Sequence, residues 1–117
     1  MRLQEVKTGH MHELPEGRRL KVGIDRDCDI QVTLGGPNEN IFLYVDGDRV
    51  YVESYGNGTR TRVVNGSLHR LRPGRQVEAC HGDTIELGGC YPLLISGDAR
   101  KIGSASGIFR KPDLPYA

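Results

Sequence analysis

Cys80-His81 followed by Asp83 brings a thiol, an imidazole and a carboxylate close together, the residue types of a nucleophile, its base and the group that orients the base. Adjacent strand residues point to opposite faces, however, and catalytic groups converge from separate segments. The stretch therefore reads as a turn in which Gly82-Asp83 leads into a strand. Asp25, Asp27 and Asp29 alternate like a calcium-ligand set, but the glycine and closing glutamate of a calcium loop are absent, which leaves a solvated turn. His10 and His12 share one face of a strand, and no third metal ligand stands at a recognisable spacing, so they read as solvated histidines. Gly56-Asn57-Gly58-Thr59 lacks both the lysine and the following helical pattern of a phosphate-cradling loop. No catalytic residue, metal, cofactor or small-molecule substrate is implied.

Charge is segregated along the chain. Arg60, Arg62, Arg70, Arg72 and Arg75 lie in or beside one predicted hairpin, while Glu39, Asp46, Asp48 and Glu53 surround another. Hairpins on different edges would give the domain a basic and an acidic side, able to orient a partner or a second copy. The basic stretch from Arg60 to Arg75 contains no Phe, Tyr or Trp, which argues against nucleic acid.

The elements that position these groups are short strands. The chain has 117 residues, a formal net charge of +1, 16 glycines and 6 prolines, and room for one domain with one modest core. No apolar run approaches the ~20 residues of a bilayer span, and the first residues lack a signal-peptide stretch, so a soluble cytoplasmic setting is expected. The 3 cysteines, Cys28, Cys80 and Cys90, form no C-x-x-C pair and read as reduced core or edge thiols. Asn40–Val45 and Asp48–Glu53 flank Asp46-Gly47, a two-residue hairpin turn; Asn65-Gly66 marks a second between Val64 and Ser67. Further strand-like runs occur at Leu3–Val6, His10–Leu14, Arg19–Val22, Asp29–Thr33, Gln76–Ala79, Thr84–Leu87 and Tyr91–Ile95. Ten to eleven short strands predict an all-β antiparallel sandwich over residues 1–96. Residues 97–117 read as a flexible Gly/Ser/Pro-containing tail or linker.

Four motifs then occur in order. Val22-Gly23-Ile24-Asp25-Arg26-Asp27-Cys28-Asp29-Ile30-Gln31-Val32 resembles the opening signature of forkhead-associated domains. Asn57-Gly58-Thr59 and Val64-Asn65-Gly66 resemble that family's loop motifs, and His81–Gly88 resembles its late Gly-Asp-x-Ile-x-x-Gly strand entry. The resemblance spans about Leu3 to Ile95 and implies an eleven-stranded FHA/SMAD-like sandwich whose loops at one end bind phosphothreonine peptides. In that family an arginine follows the first glycine and a Ser-x-x-His loop completes the pocket. Here Ile24 holds the arginine position, Pro37 the serine position and Asn40 the histidine position. A phosphate dianion needs charge-assisted donors; the Ile24 side chain offers none, and Pro37 has lost even its backbone N–H.

The resemblance thus implies a phosphothreonine-independent scaffold that binds proteins. Asn57, Gly58, Thr59 and Asn65 are expected to hold loop geometry, and Arg26, Arg60 and Arg62 are candidate charged contacts. Gly9–Arg18 also resembles the start of the cytosolic amino-terminal domain of type III secretion inner-membrane ring proteins. That likeness implies copies packed in a ring, with a membrane contact only if a span follows residue 117. Two alternatives stay open: a phosphopeptide reader using relocated arginines, and a degenerate domain of a eukaryotic scaffold or motor.

Overall fold

The computed structural model describes residues 1–32, 39–55 and 60–97. Eleven strands occur among them: β1 (Arg2–Glu5), β2 (Met11–Glu13), β3 (Arg19–Gly23), β4 (Ile30–Gln31), β5 (Asn40–Asp46), β6 (Arg49–Ser54), β7 (Arg62–Val64), β8 (Leu68–Arg70), β9 (Gln76–Cys80), β10 (Thr84–Leu87) and β11 (Tyr91–Ser96). They form a six-stranded sheet, β2-β1-β11-β10-β7-β8, and a five-stranded sheet, β4-β3-β5-β6-β9. The period-2 alternation decides which side of each strand is covered. Ile41, Leu43 and Val45 of β5 meet Val50 and Val52 of β6 inside, opposite Leu3, Ile85, Leu87, Leu93 and Ile95 of the other sheet. Burying each such side chain contributes about 1.5–3 kcal/mol.

One expectation about pairing is corrected. The sandwich is not wholly antiparallel, because β4 runs parallel to β3 with Val22 opposite Ile30. Both hairpin turns also differ from their predicted positions. The first turn is Gly47-Asp48, one residue later than expected, with Asp46 opposite Arg49 and Val45 opposite Val50. This register sets valine against valine in the core instead of against Asp48, and Gly47 supplies the positive φ of 66°. The second turn spans Asn65–Ser67, with Val64 opposite Leu68. The extra residue flips the returning strand, so Leu71 enters the core at 2% exposure while Leu68 stands 59% exposed.

The six-stranded sheet also buries a carboxylate. Glu5 follows Leu3 at period 2 and so faces inward, fully buried. The Tyr91 hydroxyl donates to Glu5 Oε1 at 2.6 Å, and His12 Nε2 lies 2.7 Å from Oε2. His12 is therefore a half-buried partner of Glu5, not the solvated side chain expected. Tyr91→Phe should lower the unfolding free energy by about 1–3 kcal/mol in urea denaturation, because a buried carboxylate oxygen loses a donor. Met11→Ala, on the exposed edge strand β2, should change it by less than about 0.5 kcal/mol.

Candidate functional site

The loop of residues 24–29 leaves β3, the chain re-enters the same sheet at Glu39-Asn40, and Arg60-Thr61 leads into β7. These three segments meet at one end of the sandwich. Gly23 faces Asn40 across the β3–β5 pair, and a Cβ there would overlap Asn40 Oδ1 and come within 2.8 Å of the Glu39 carbonyl. The absence of a side chain thus lets the Asn40 carboxamide lie over the strand. That carboxamide is used on both sides: Nδ2 donates to Asp25 Oδ2 at 2.9 Å and Oδ1 accepts from Cys28 Sγ at 3.3 Å. Ile24 is half-buried and packs against the core.

The acidic triplet is organised around Lys21 of β3. Lys21 Nζ lies 2.8 and 3.0 Å from the two Asp27 oxygens and 3.5 Å from Asp25 Oδ2. It also lies 4.3 Å from the Tyr55 ring centroid. Asp29 accepts from the Lys21 backbone N–H and from Arg18 Nη2, each at 2.8 Å. The solvated aspartate turn expected from the sequence is therefore a bonded charge cluster. Its effect on proton affinity follows from the contacts. The hydrogen bond from Lys21 holds Asp27 below the usual carboxylate range, and the Lys21 N–H, with Arg18, does the same for Asp29. Asp27 in turn raises Lys21 above an ordinary lysine.

Glu39 ties this end to the other sheet. Its Oε2 accepts from the Arg60 N–H at 2.9 Å, and its Oε1 accepts from Thr61 Oγ1 at 2.7 Å. The buried Thr61 hydroxyl accepts in turn from the Gly88 N–H at 2.9 Å. Of the residues predicted for the pocket, Ile24 and Asn40 are thus brought together with Arg60 close by. Arg60 presents a guanidinium 86% exposed, and Arg26 is also exposed. Arg62 points elsewhere, with Nη2 donating to the Gly89 carbonyl at 3.1 Å and lying 2.7 Å from Glu86 Oε1, an ion-pair distance without hydrogen-bond alignment. Asn65 sits at the far end of β7, donating to the Glu78 carbonyl at 2.7 Å. Pro37, Asn57, Gly58 and Thr59 lie outside the described residues, as does the predicted tail after Gly97.

Sequence reasoning missed Lys21, Glu39 and Glu5. The signal that could have found Glu5 is its inward-facing period-2 position after Leu3; Lys21 and Glu39 act through contacts across the fold that no local pattern announces. The Cys80–Asp83 segment is a turn, with Asp83 Oδ2 accepting from the Cys80 N–H at 2.8 Å. Partial desolvation of the sulfur and the neighbouring Asp83 carboxylate push the Cys80 thiol up to about 11, the reverse of nucleophile activation. All three cysteines are free, with Cys28 half-buried and Cys80 and Cys90 exposed. No group of three or more metal-ligating side chains occurs among the described residues. Nor does any helix there have the length and apolarity to cross a membrane.

No family model and no curated protein matches the chain. Among solved structures it is similar to the FhaA FHA domain, crystallised in complex with the intracellular domain of Rv3910. The likeness has a TM-score of 0.58 at 21% identity and covers 80% of this chain and 96% of that one. The chain has the forkhead-associated fold. The two sheets and eleven strands described above are that sandwich, with Lys21 on β3 and its aspartate partners in the loop that follows.

The cluster makes stability pH-dependent. Asp27 and Asp29 are depressed, so their contribution is fully present above the ordinary aspartate value of about 3.9 and is lost as pH falls through their lower folded values. Lys21 is raised, so its contribution is fully present below about 10.4 and is lost as pH rises through its higher folded value. Thermal melts across this range should show Asp27→Asn shrinking the acid-side loss, and Lys21→Met shrinking the losses on both sides.

Proposed function

We propose that this is a non-catalytic protein-interaction domain that recognises a protein surface without requiring phosphothreonine. The observation that carries the reading is that the loop end already satisfies its own polar groups. Asn40 has both ends of its carboxamide bonded, Lys21 is held by Asp27 and Asp25, and Ile24 is packed against the core. A phosphate dianion entering there would meet Asp25, Asp27 and Glu39, and Lys21 and Asn40 would have to leave a carboxylate first; the exposed Arg26 and Arg60 are the donors that the experiment below removes.

The exterior of the five-stranded sheet supports a protein partner. Tyr44 and Tyr55 are exposed, and Phe42 lies beneath Arg19 with the guanidinium 3.8 Å from the ring centroid. Phe42, Tyr44 and Tyr51 help line a shallow cleft of about 260 Å³. Tyrosine and arginine are the side chains that dominate binding energy at protein interfaces. The complex formed by the FhaA domain supports the same class of partner.

Within this class we assign the chain to the cytosolic domain of a type III secretion inner-membrane ring protein. Support comes from the resemblance of Gly9–Arg18 to the start of those domains together with Ile24 in the arginine position. In a ring, weak contacts repeated by many copies gain avidity. A membrane span encoded soon after Ala117 would favour this assignment, and its absence would favour a eukaryotic scaffold or motor.

Matched peptides that differ only in threonine phosphorylation, titrated by fluorescence anisotropy, address the main reading. The expected result is no phosphate-dependent affinity in the wild type. Ile24→Arg should gain none either, since Asp25 and Asp27 would claim the new guanidinium. Micromolar binding that requires the phosphate and disappears in Arg26→Ala or Arg60→Ala would overturn the proposal in favour of relocated arginines.

A further inference from the structure

Strand β8 ends the six-stranded sheet and β9 ends the five-stranded sheet on the same side of the sandwich. Between them runs a cleft of about 340 Å³. One end is bridged by the Asn65 side chain on the Glu78 carbonyl, and the other is closed by the loop after the buried Leu71. Backbone phase shows what β8 offers to this side. Leu71 N donates to the Thr61 carbonyl and Asn65 N to the Ser67 carbonyl, so the peptide groups of Leu68 and Arg70 turn away from β7 toward the open edge. The cleft therefore has a strand edge with free pairing capacity.

Its side chains are basic and apolar. Arg70, Arg72 and Arg75 are exposed, and none has an ion pair or side-chain hydrogen bond among the described residues. This contrasts with the carboxylates around the β5–β6 hairpin, where Glu53 is bonded to Arg19 and Asp46 faces Arg49. Leu68 and the half-buried Val77 supply apolar wall.

Together these features specify a ligand class, and we infer that the β8 edge binds an extended acidic peptide of a partner protein. The peptide would pair with Leu68 and Arg70 as an added strand and set carboxylates against Arg70, Arg72 and Arg75. No Phe, Tyr or Trp lines the cleft, so it lacks the stacking platform of a single-stranded nucleic-acid site. The inference rests on the protein-binding reading and locates one of its surfaces away from the phosphothreonine loops.

The probe is a fluorescein-labelled peptide of about eight residues alternating valine and glutamate, long enough to cover the edge strand. Its glutamine counterpart and a single-stranded oligonucleotide serve as comparisons, all titrated into the full chain. The glutamate peptide should saturate the protein and bind about tenfold more tightly than the glutamine peptide. Arg72→Glu with Arg75→Glu should weaken it about tenfold with an unchanged melting temperature, both side chains being exposed. Leu68→Pro, which removes an edge N–H, should weaken binding of both peptides. Failure of the glutamate peptide to bind, binding unchanged in these variants, or preferential arginine-dependent binding of the oligonucleotide would overturn the inference. Such a failure leaves the loop-end reading intact, because that reading is tested by phosphate dependence. Conversely, phosphothreonine binding that survives the Arg72/Arg75 reversal would sink the loop-end reading alone.

Discussion

Lys21 is the constraint around which the functional end is organised. Strands β3 and β4 are parallel neighbours joined only by residues 24–29, far shorter than the dozen or more residues that a parallel crossover normally requires. The chain manages this by folding the loop back along β3, which crowds Asp25, Asp27 and Asp29 together. Such crowding is unfavourable unless a cation sits among the carboxylates, and Lys21 does so with its ammonium while its N–H binds Asp29. Val32 N then donates to the Gly23 carbonyl and continues the parallel pairing. Removing the cation would therefore affect the course of the backbone as well as the local charge.

The same arrangement shapes what this end can bind. The Lys21 ammonium and the Asn40 carboxamide are committed to the loop's own aspartates, and Glu39 adds another carboxylate while clamping Arg60-Thr61 against the other sheet. A forkhead-associated frame is retained while the chemistry at its loop end is turned inward. In the function proposed here, binding falls to surfaces made by strands: the aromatic exterior of the five-stranded sheet and the arginine-lined edge of β8. Both follow from register, since alternation sends Phe42 and Tyr44 outward and the three-residue turn leaves Leu68 exposed.

Much of the fold was legible because half-buried strands write a period-2 pattern and glycine marks their turns. Each of the eleven strands overlaps a predicted strand-like run or a flank of a predicted hairpin turn, including the two-residue β4. Strand direction was not legible, because alternation carries no information about which neighbour a strand chooses; hence the parallel β3–β4 pair went unforeseen. Turn register was missed for a related reason: Asp46-Gly47 and Asn65-Gly66 are good local turn sequences, yet pairing Val45 with Val50 and burying Leu71 moved both turns by tertiary packing. At the site, the motif order was enough to expect Ile24 and Asn40 near one another, whereas the bonds that commit Asn40 and Lys21 join residues that only the fold makes neighbours.

The central claim is that the loop after β3 is closed on its own charges, and amide-resolved NMR during titration with a phosphothreonine peptide tests it most directly. The account predicts that the amides of Ile24–Asp29, Asn40 and Arg60 keep their positions at peptide concentrations that saturate forkhead-associated domains with the pocket arginine. Progressive, saturable shifts confined to those amides, and absent with the unphosphorylated peptide, would contradict it.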